Sequence, residues 1–435
     1  MNRRILHIAV PSILSNITVP LLALADTTVV GHLGSVAYIG AVALGGMLFN
    51  MAYWLFGFLR MGTGGLTAQA YGAGQGGEAV RVLFRSLVLA AGAGLLLIAL
   101  QTPVLYVAFR CVEATPEVAE QAAVYFRILI WGAPAVLGLY SFTGWFLGMQ
   151  NARWPMLIAL LQNVLNIAVS LTLVFVMEWK IEGVAAGTLV AQYAGLLMAW
   201  SVFRRRFPVD LHKVGWREVF ASQALQRFFR VNRDIFLRTL CLVCVSTYFT
   251  SAGSAQGELV LAANALLMQF FILFSYVMDG FAYAGEALGG RYCGAGERRS
   301  FDQMAVCLFR WGAGLAAAFT LAYLCGGRRL LALLTDSVAV QAEASSFLPF
   351  ACAIPAVSMA AFLFDGLFVG TTSTRQMLLS MLVACAAFFA VVWAMPRDNA
   401  WLWTAFLIYL GGRGAMQAWF YPRVRRKIAT ESGSR

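Results

Sequence analysis

Charge is what this sequence has least of. Asp, Glu, Lys and Arg together make up 12% of its 435 residues, about half the roughly 25% usual in soluble globular chains. A water-soluble fold of this length would lack the charge to cover its surface. Histidine is scarcer still. His7, His32 and His212 are the only three, and no nucleophile–base pairing or metal-ligand spacing accompanies them, so enzymatic and metal-centred chemistry are set aside. No Gly-X-Y period is present, and the apolar content is too high for a disordered chain. The first apolar stretch is interrupted by Pro11, Asn16, Pro20 and Asp26 and leads into another span, so no cleavable signal peptide is expected. There are eight cysteines, and only Cys241 and Cys244 have CxxC spacing. They lie in an apolar run without a second pair, where a free Cys behaves as a small hydrophobe. No cofactor is implied.

What is present is hydrophobicity, at 60% of residues. Breaking the chain at charged or Gly-rich points leaves twelve apolar runs of the roughly 20 residues a membrane helix needs. They cover 5–30, 36–62, 83–109, 121–148, 154–177, 182–203, 235–254, 259–286, 303–326, 344–370, 376–395 and 399–420. The chain therefore reads as an all-α integral membrane protein of twelve transmembrane helices. Short connections make sequential spans antiparallel neighbours. Only 204–234 is long and charged.

The net charge of +12 would suggest nucleic acid in a soluble protein. Its distribution gives a different answer. With the N-terminus inside, 23 of the 32 Lys and Arg residues fall in or beside cytoplasmic loops, and Arg110, Lys180, Arg328, Arg329 and Arg397 fall outside. That asymmetry satisfies the positive-inside rule. It puts both termini in the cytoplasm and leaves nucleic acid unnecessary as a partner.

The chain also repeats itself at an offset of 222 residues. Ala41, Ala43 and Leu44 match Ala263, Ala265 and Leu266, and Gly72-Ala73-Gly74-Gln75 matches Gly294-Ala295-Gly296-Glu297. Gly144, Phe146, Gly148 and Arg153 match Gly366, Phe368, Gly370 and Arg375. The copies begin an even number of spans apart, so they share one orientation, as in transporters whose repeats rock about a central site. The expected organisation is an N-terminal lobe over 1–203, a cytoplasmic linker over 204–234, a C-terminal lobe over 235–422 and a basic tail over 423–435. Within the linker, Trp216 to Arg230 reads as one amphipathic helix on the inner leaflet surface.

An ionisable group within the hydrocarbon costs about 2.5–3.5 kcal/mol on insertion scales and needs a partner or a watery cavity. Of the 20 carboxylates only Asp26, Asp279, Glu286 and Asp365 fall inside or at the end of a span. Asp26 has no basic residue within a turn or two. It reads as a group that binds and releases protons, or alternatively as a hydrogen-bonded brace between two helices. Ser15, Leu22 and Asp26 share one helical face. Asn163, Asn166 and Ser170 on the fifth span, with Thr188 and Gln192 on the sixth, form a polar set able to hydrogen-bond Asp26 and admit water. Pro11 and Pro20 permit bending of the first span. Asp279 and Glu286 are two turns apart, and Arg60 maps by the repeat to Ala282 between them. An ion pair that closes the cytoplasmic side is expected there. Asp365 is expected to pair with Arg413 or bind a cation, with pairing favoured.

The stretch from Pro11 to Gly34, PSILSNITVPLLALADTTVVGHLG, closely resembles the first span of DinF-type proteins of the multidrug and toxic compound extrusion (MATE) family. The resemblance continues through Phe58–Ala70, Asn232–Ile235, Met278–Ala284 and Asp365–Gly370 and spans nearly the whole chain. It implies two pseudo-symmetric six-helix lobes in a V-shaped arrangement. It also implies export of cationic or amphipathic compounds against H⁺ or Na⁺ by alternating access, from a monomer in the bacterial cytoplasmic (inner) membrane. The family's first-helix acid falls on Asp26, its bending proline on Pro11 and its fifth-helix amide on Asn166. Where many relatives carry a second acid, this chain has Ser170. That departure favours H⁺ as the coupling ion, since Na⁺ wants several oxygen ligands. A lipid-linked precursor flippase and Na⁺-coupled efflux are the rival readings. The first would be expected to line its cavity with basic groups.

Overall fold

The structure, a computed structural model, describes residues 1–32, 35–111, 115–207 and 214–431. His212, Lys213 and Arg435 lie outside them, as do the side chains of Leu22 and Cys111. Among the described residues every regular element is helical. In chain order these are α1 (Asn2–Gly31), α2 (Val36–Leu55), α3 (Phe58–Gly72), α4 (Gly76–Ala99), α5 (Gln101–Cys111), α6 (Pro116–Leu129), α7 (Ala133–Gly148) and α8 (Arg153–Leu171). They continue with α9 (Ile181–Arg206), α10 (Trp216–Val219), α11 (Ser222–Ser254), α12 (Glu258–Ala295), α13 (Arg298–Leu334), α14 (Val338–Gly370), α15 (Thr374–Ala394) and α16 (Asn399–Glu431).

The twelve expected spans map onto α1, α2–α3, α4–α5, α6–α7, α8, α9 and α11 to α16. Among the described residues ten helical segments are long and apolar enough to cross a membrane by length and composition; α1 and α16 are not among them. The interruptions have local causes. Between α6 and α7 the chain tightens into a 3₁₀ turn, Ile130–Gly132, just before Pro134. A proline there has no N–H to continue the ladder and is tolerated only near a helix start. The end of α8 widens into a π turn over Thr172–Val176.

The linker departs from expectation. Instead of one helix from Trp216 to Arg230, α10 is a single turn that stops at Val219. The next helix, α11, starts at Ser222 and continues as the seventh span. Arg85 is the reason. Its Nε donates to the Val219 carbonyl at 2.7 Å and its Nη2 to the Glu218 carbonyl at 2.9 Å. Those carbonyls are the acceptors a longer helix would have used. Phe84 meets Trp216 edge-on, and Val219 is fully buried.

The chain forms two compact units. One contains residues 1–13, 68–74 and 230–435; the other contains 14–67 and 75–229. The second unit has its core around Val30, Phe49, Tyr53 and Phe126, with a further cluster of Trp145, Phe146 and Phe203. The first unit is built on Phe249, Phe270, Trp403 and Phe406. There Asn264 and Asn399 exchange amide bonds at 2.8 and 3.0 Å, and Trp403 also donates to Asn264.

The 222-residue repeat persists in the backbone. In the second unit a Cβ at Gly144 of α7 would overlap the carbonyl oxygen of Arg60 on α3. In the first, a Cβ at Gly366 of α14 would overlap that of Ala282 on α12. Both residues of each contact are 222 apart from their counterparts. Gly74 and Gly296, also 222 apart, both take φ 71°. Gln150 and Thr372 repeat the pattern with φ 64° and 48°. Close helix contact through glycine is how membrane helices gain packing without a hydrophobic drive.

Candidate functional site

The second unit carries the polar residues singled out on the first, fifth and sixth spans. Asp26 lies on α1 at 8% exposure, next to Val29 and Val30, which belong to the apolar core. Among the described residues no basic side chain pairs with it, and Tyr125 of α6 is within electrostatic reach. The Tyr125 ring is seated where Gly45 of α2 leaves room for it. A carboxylate in such surroundings is costly to keep charged without water or a bound cation.

The amides and hydroxyls gather in the same unit, but they do not bond Asp26 directly as expected. Asn166 of α8 donates from Nδ2 to Thr188 Oγ1 on α9 at 2.8 Å, and Thr188 in turn donates to the Val184 carbonyl at 3.0 Å. Asn163 donates to the main-chain carbonyl of Thr18 on α1 at 3.1 Å. Ser170 is fully buried where Gly187 makes room, and Gln192 packs against Gly132. Asn166 Oδ1, Ser170 Oγ and Gln192 Oε1 are buried without a hydrogen-bond partner. Buried acceptors of this kind call for water or a hydrogen-bonding guest. Pro11 and Pro20 both lie within α1, which is helical through each.

In the first unit Asp365 of α14 has the partner expected for it and one more. Arg413 of α16 approaches it at 3.3 Å; Arg238 of α11 also pairs with it, and Gln417 donates to its other oxygen. A carboxylate shared by two guanidiniums has its charge satisfied from within the protein. Arg238 is one of the 23 basic residues that the charge asymmetry assigns to cytoplasmic loops or their boundaries. The overlooked signal was its position inside the apolar run 235–254, where an Arg requires a partner. Asp279 and Glu286 lie on α12, Asp279 within electrostatic reach of Arg413 and Glu286 buried. Arg60 lies on α3 of the second unit, near Tyr140. Asp234, within the motif Asn232–Ile235, accepts from Thr374 at 3.1 Å and pairs with Arg233 at 3.0 Å.

Comparison with known proteins agrees with this architecture. The MatE family model matches the chain twice, over residues 11–172 and 235–395, once in each copy of the repeat. The chain belongs to the MatE family. It is 38% identical over 423 residues to the DNA damage-inducible protein F of Escherichia coli K12, covering 96% of this chain and 91% of that one. A probable multidrug resistance protein NorM of Rhizobium meliloti is 24% identical, covering 98% and 94%. A crystal structure of MATE in the bent conformation superposes with a TM-score of 0.86 at 18% identity, covering 100% of this chain and 96% of that one. The protein is thus a multi-pass all-α membrane protein with the MATE fold, from a family of transporters that includes multidrug efflux proteins.

Proposed function

We propose that this MATE protein is a proton-coupled antiporter that exports cationic or amphipathic small molecules by alternating access, with Asp26 as the coupling carboxylate. The observation that carries the reading is Asp26 itself, buried in an apolar setting without a basic partner. Deprotonated, it attracts a cationic substrate entering from the cytoplasm or inner leaflet. Protonation after the switch to the outward state removes that charge and releases the cargo. The orphan acceptors of Asn166, Ser170 and Gln192 supply sites for the water such proton movement requires. The relative named for multidrug resistance supports the substrate class, and the loop charge supports cytoplasmic termini in an inner membrane. Ser170, in place of a second acid, supports H⁺ over Na⁺, since an octahedral Na⁺ shell needs several oxygens while one desolvated carboxylate takes a proton alone. At the C-terminal carboxylate, Asp365, two guanidiniums meet Oδ2 and the Gln417 amide donates to Oδ1, the oxygens a coupling cation would need.

The test is substrate-triggered proton release from energised vesicles. Wild type is expected to release protons on substrate addition with no change when Na⁺ is added, and Asp26→Asn to lose the response. Coupling that survives in Asp26→Asn, or that requires Na⁺, overturns the reading.

A further inference from the structure

The two amides of α8 do different jobs. Asn166 reaches sideways to α9, while Asn163, one turn earlier, bonds the backbone of α1. The carbonyl it takes belongs to Thr18, two residues before Pro20. Pro20 has no N–H to return to the preceding turn, and its ring crowds that turn. The Thr18 hydroxyl is turned back to the Ser15 carbonyl at 2.7 Å, a bond of the kind that bends helices. The main-chain bond that Pro20 would have given the Asn16 carbonyl is missing, so the backbone ladder of α1 is weakened over Asn16–Pro20, as it is at Pro11. Neighbouring helices support such proline-weakened stretches by bonding their carbonyls. Asp26 lies eight residues further on, about 12 Å along the axis, on the other side of Pro20.

We propose that Asn163 is a positioning residue: its amide anchors α1 at Thr18, beyond Pro11, so that bending here is confined to Pro20 and the segment bearing Asp26 is the part that moves. This rests on the coupling role of Asp26. Asn163 itself touches neither proton nor cargo, unlike the coupling role the sequence pattern assigns it. Three variants of the full chain separate donor from shape. Asn163→Leu and, with its carboxyl ionised, Asn163→Asp keep the size and lose the donated bond, while Asn163→Gln keeps an amide donor.

For Leu and Asp, turnover and proton release are expected to fall roughly threefold to tenfold, the scale of one interhelical hydrogen bond in a membrane, with substrate KM unchanged. Gln is expected to recover most of the loss. A spin label at the exposed position Leu24→Cys, in a background with the native cysteines replaced, is expected to respond to acidification in wild type and Gln. The response is expected to be blunted in Leu and Asp. Wild-type turnover in both Leu and Asp overturns the proposal, as does a rise in KM at constant turnover, which would make Asn163 a substrate contact. Should Leu fail to fold, the isosteric Asp variant decides. If Asp26→Asn abolishes coupling while the Asn163 variants behave as wild type, this inference alone fails; if Asp26→Asn stays coupled, the functional reading fails first.

Discussion

Arg238 and Asp365 are 127 positions apart and meet inside the first unit. Together with Arg413 and Gln417 they form a buried polar cluster in which one carboxylate is shared by two guanidiniums, with Asp279 within electrostatic reach of Arg413. Removing the carboxylate leaves two guanidiniums facing each other in a low-dielectric interior, and breaking a buried pair in this way costs about 3–5 kcal/mol. Asp365→Asn is therefore expected to lower the melting temperature in detergent sharply, as followed by tryptophan fluorescence. Arg238→Met leaves Asp365 paired one-to-one with Arg413, and a smaller loss is expected. If the two variants melt alike, Asp365 is not the shared partner of both guanidiniums. Asp26 presents the opposite case, a buried acid that among the described residues has no such mate, and it is the carboxylate we propose as exchangeable.

At the scale of helices, two close approaches repeat. Gly144 against Arg60 and Gly366 against Ala282 each bring one backbone onto another, with no room for a methyl group. Gly144→Ala and Gly366→Ala must push helices apart, at a cost of about 1–3 kcal/mol each. Both are expected to lower thermal stability, while Gly92→Ala, in open space on α4, serves as the neutral control. The linker offers a second test. Arg85 ends α10 through two carbonyls and forms an ion pair with Glu78 at 2.6 Å. Charge-assisted bonds of this type are worth roughly 1.5–3 kcal/mol each. Arg85→Ala is expected to raise amide exchange across Trp216–Ala221 at least tenfold while leaving α11 protected. Unchanged exchange would mean that Val219 and Trp216 hold the turn by packing alone.

At the scale of the whole protein, the ion pair that the sequence repeat leads one to expect between Arg60 and Glu286 makes a transport prediction. Arg60→Glu and Glu286→Arg are each expected to abolish efflux, and the double exchange to restore a measurable fraction of it in whole-cell drug accumulation. A double variant as inactive as the single ones removes the gate. Much of the architecture behind this prediction was legible in the chain. The twelve apolar runs, the 222-residue offset and the glycines at its landmarks all reappear as helices and crossings. The linker was misjudged because its basic–aromatic pattern fits a surface helix equally well whether or not a distant Arg85 caps its first turn. The candidate site was legible only as a set of residue types. The pattern placed Asn163, Asn166, Thr188 and Gln192 around Asp26, but the bonds of the first three run to Thr18, Val184 and one another, and Gln192 Oε1 is buried without a partner.

What the sequence alone determined follows from the bilayer. Hydrocarbon demands that each crossing satisfy its own backbone hydrogen bonds, so spans, their number and the rarity of buried acids are written locally, residue by residue. Which carboxylate gains basic partners and which has none among the described residues was decided only by tertiary structure. Side chains more than a hundred residues apart in the chain, such as Arg238 and Asp365 or Asn163 and Thr18, acquire partners only when helices pack, and hydrophobic periodicity carries no record of those meetings.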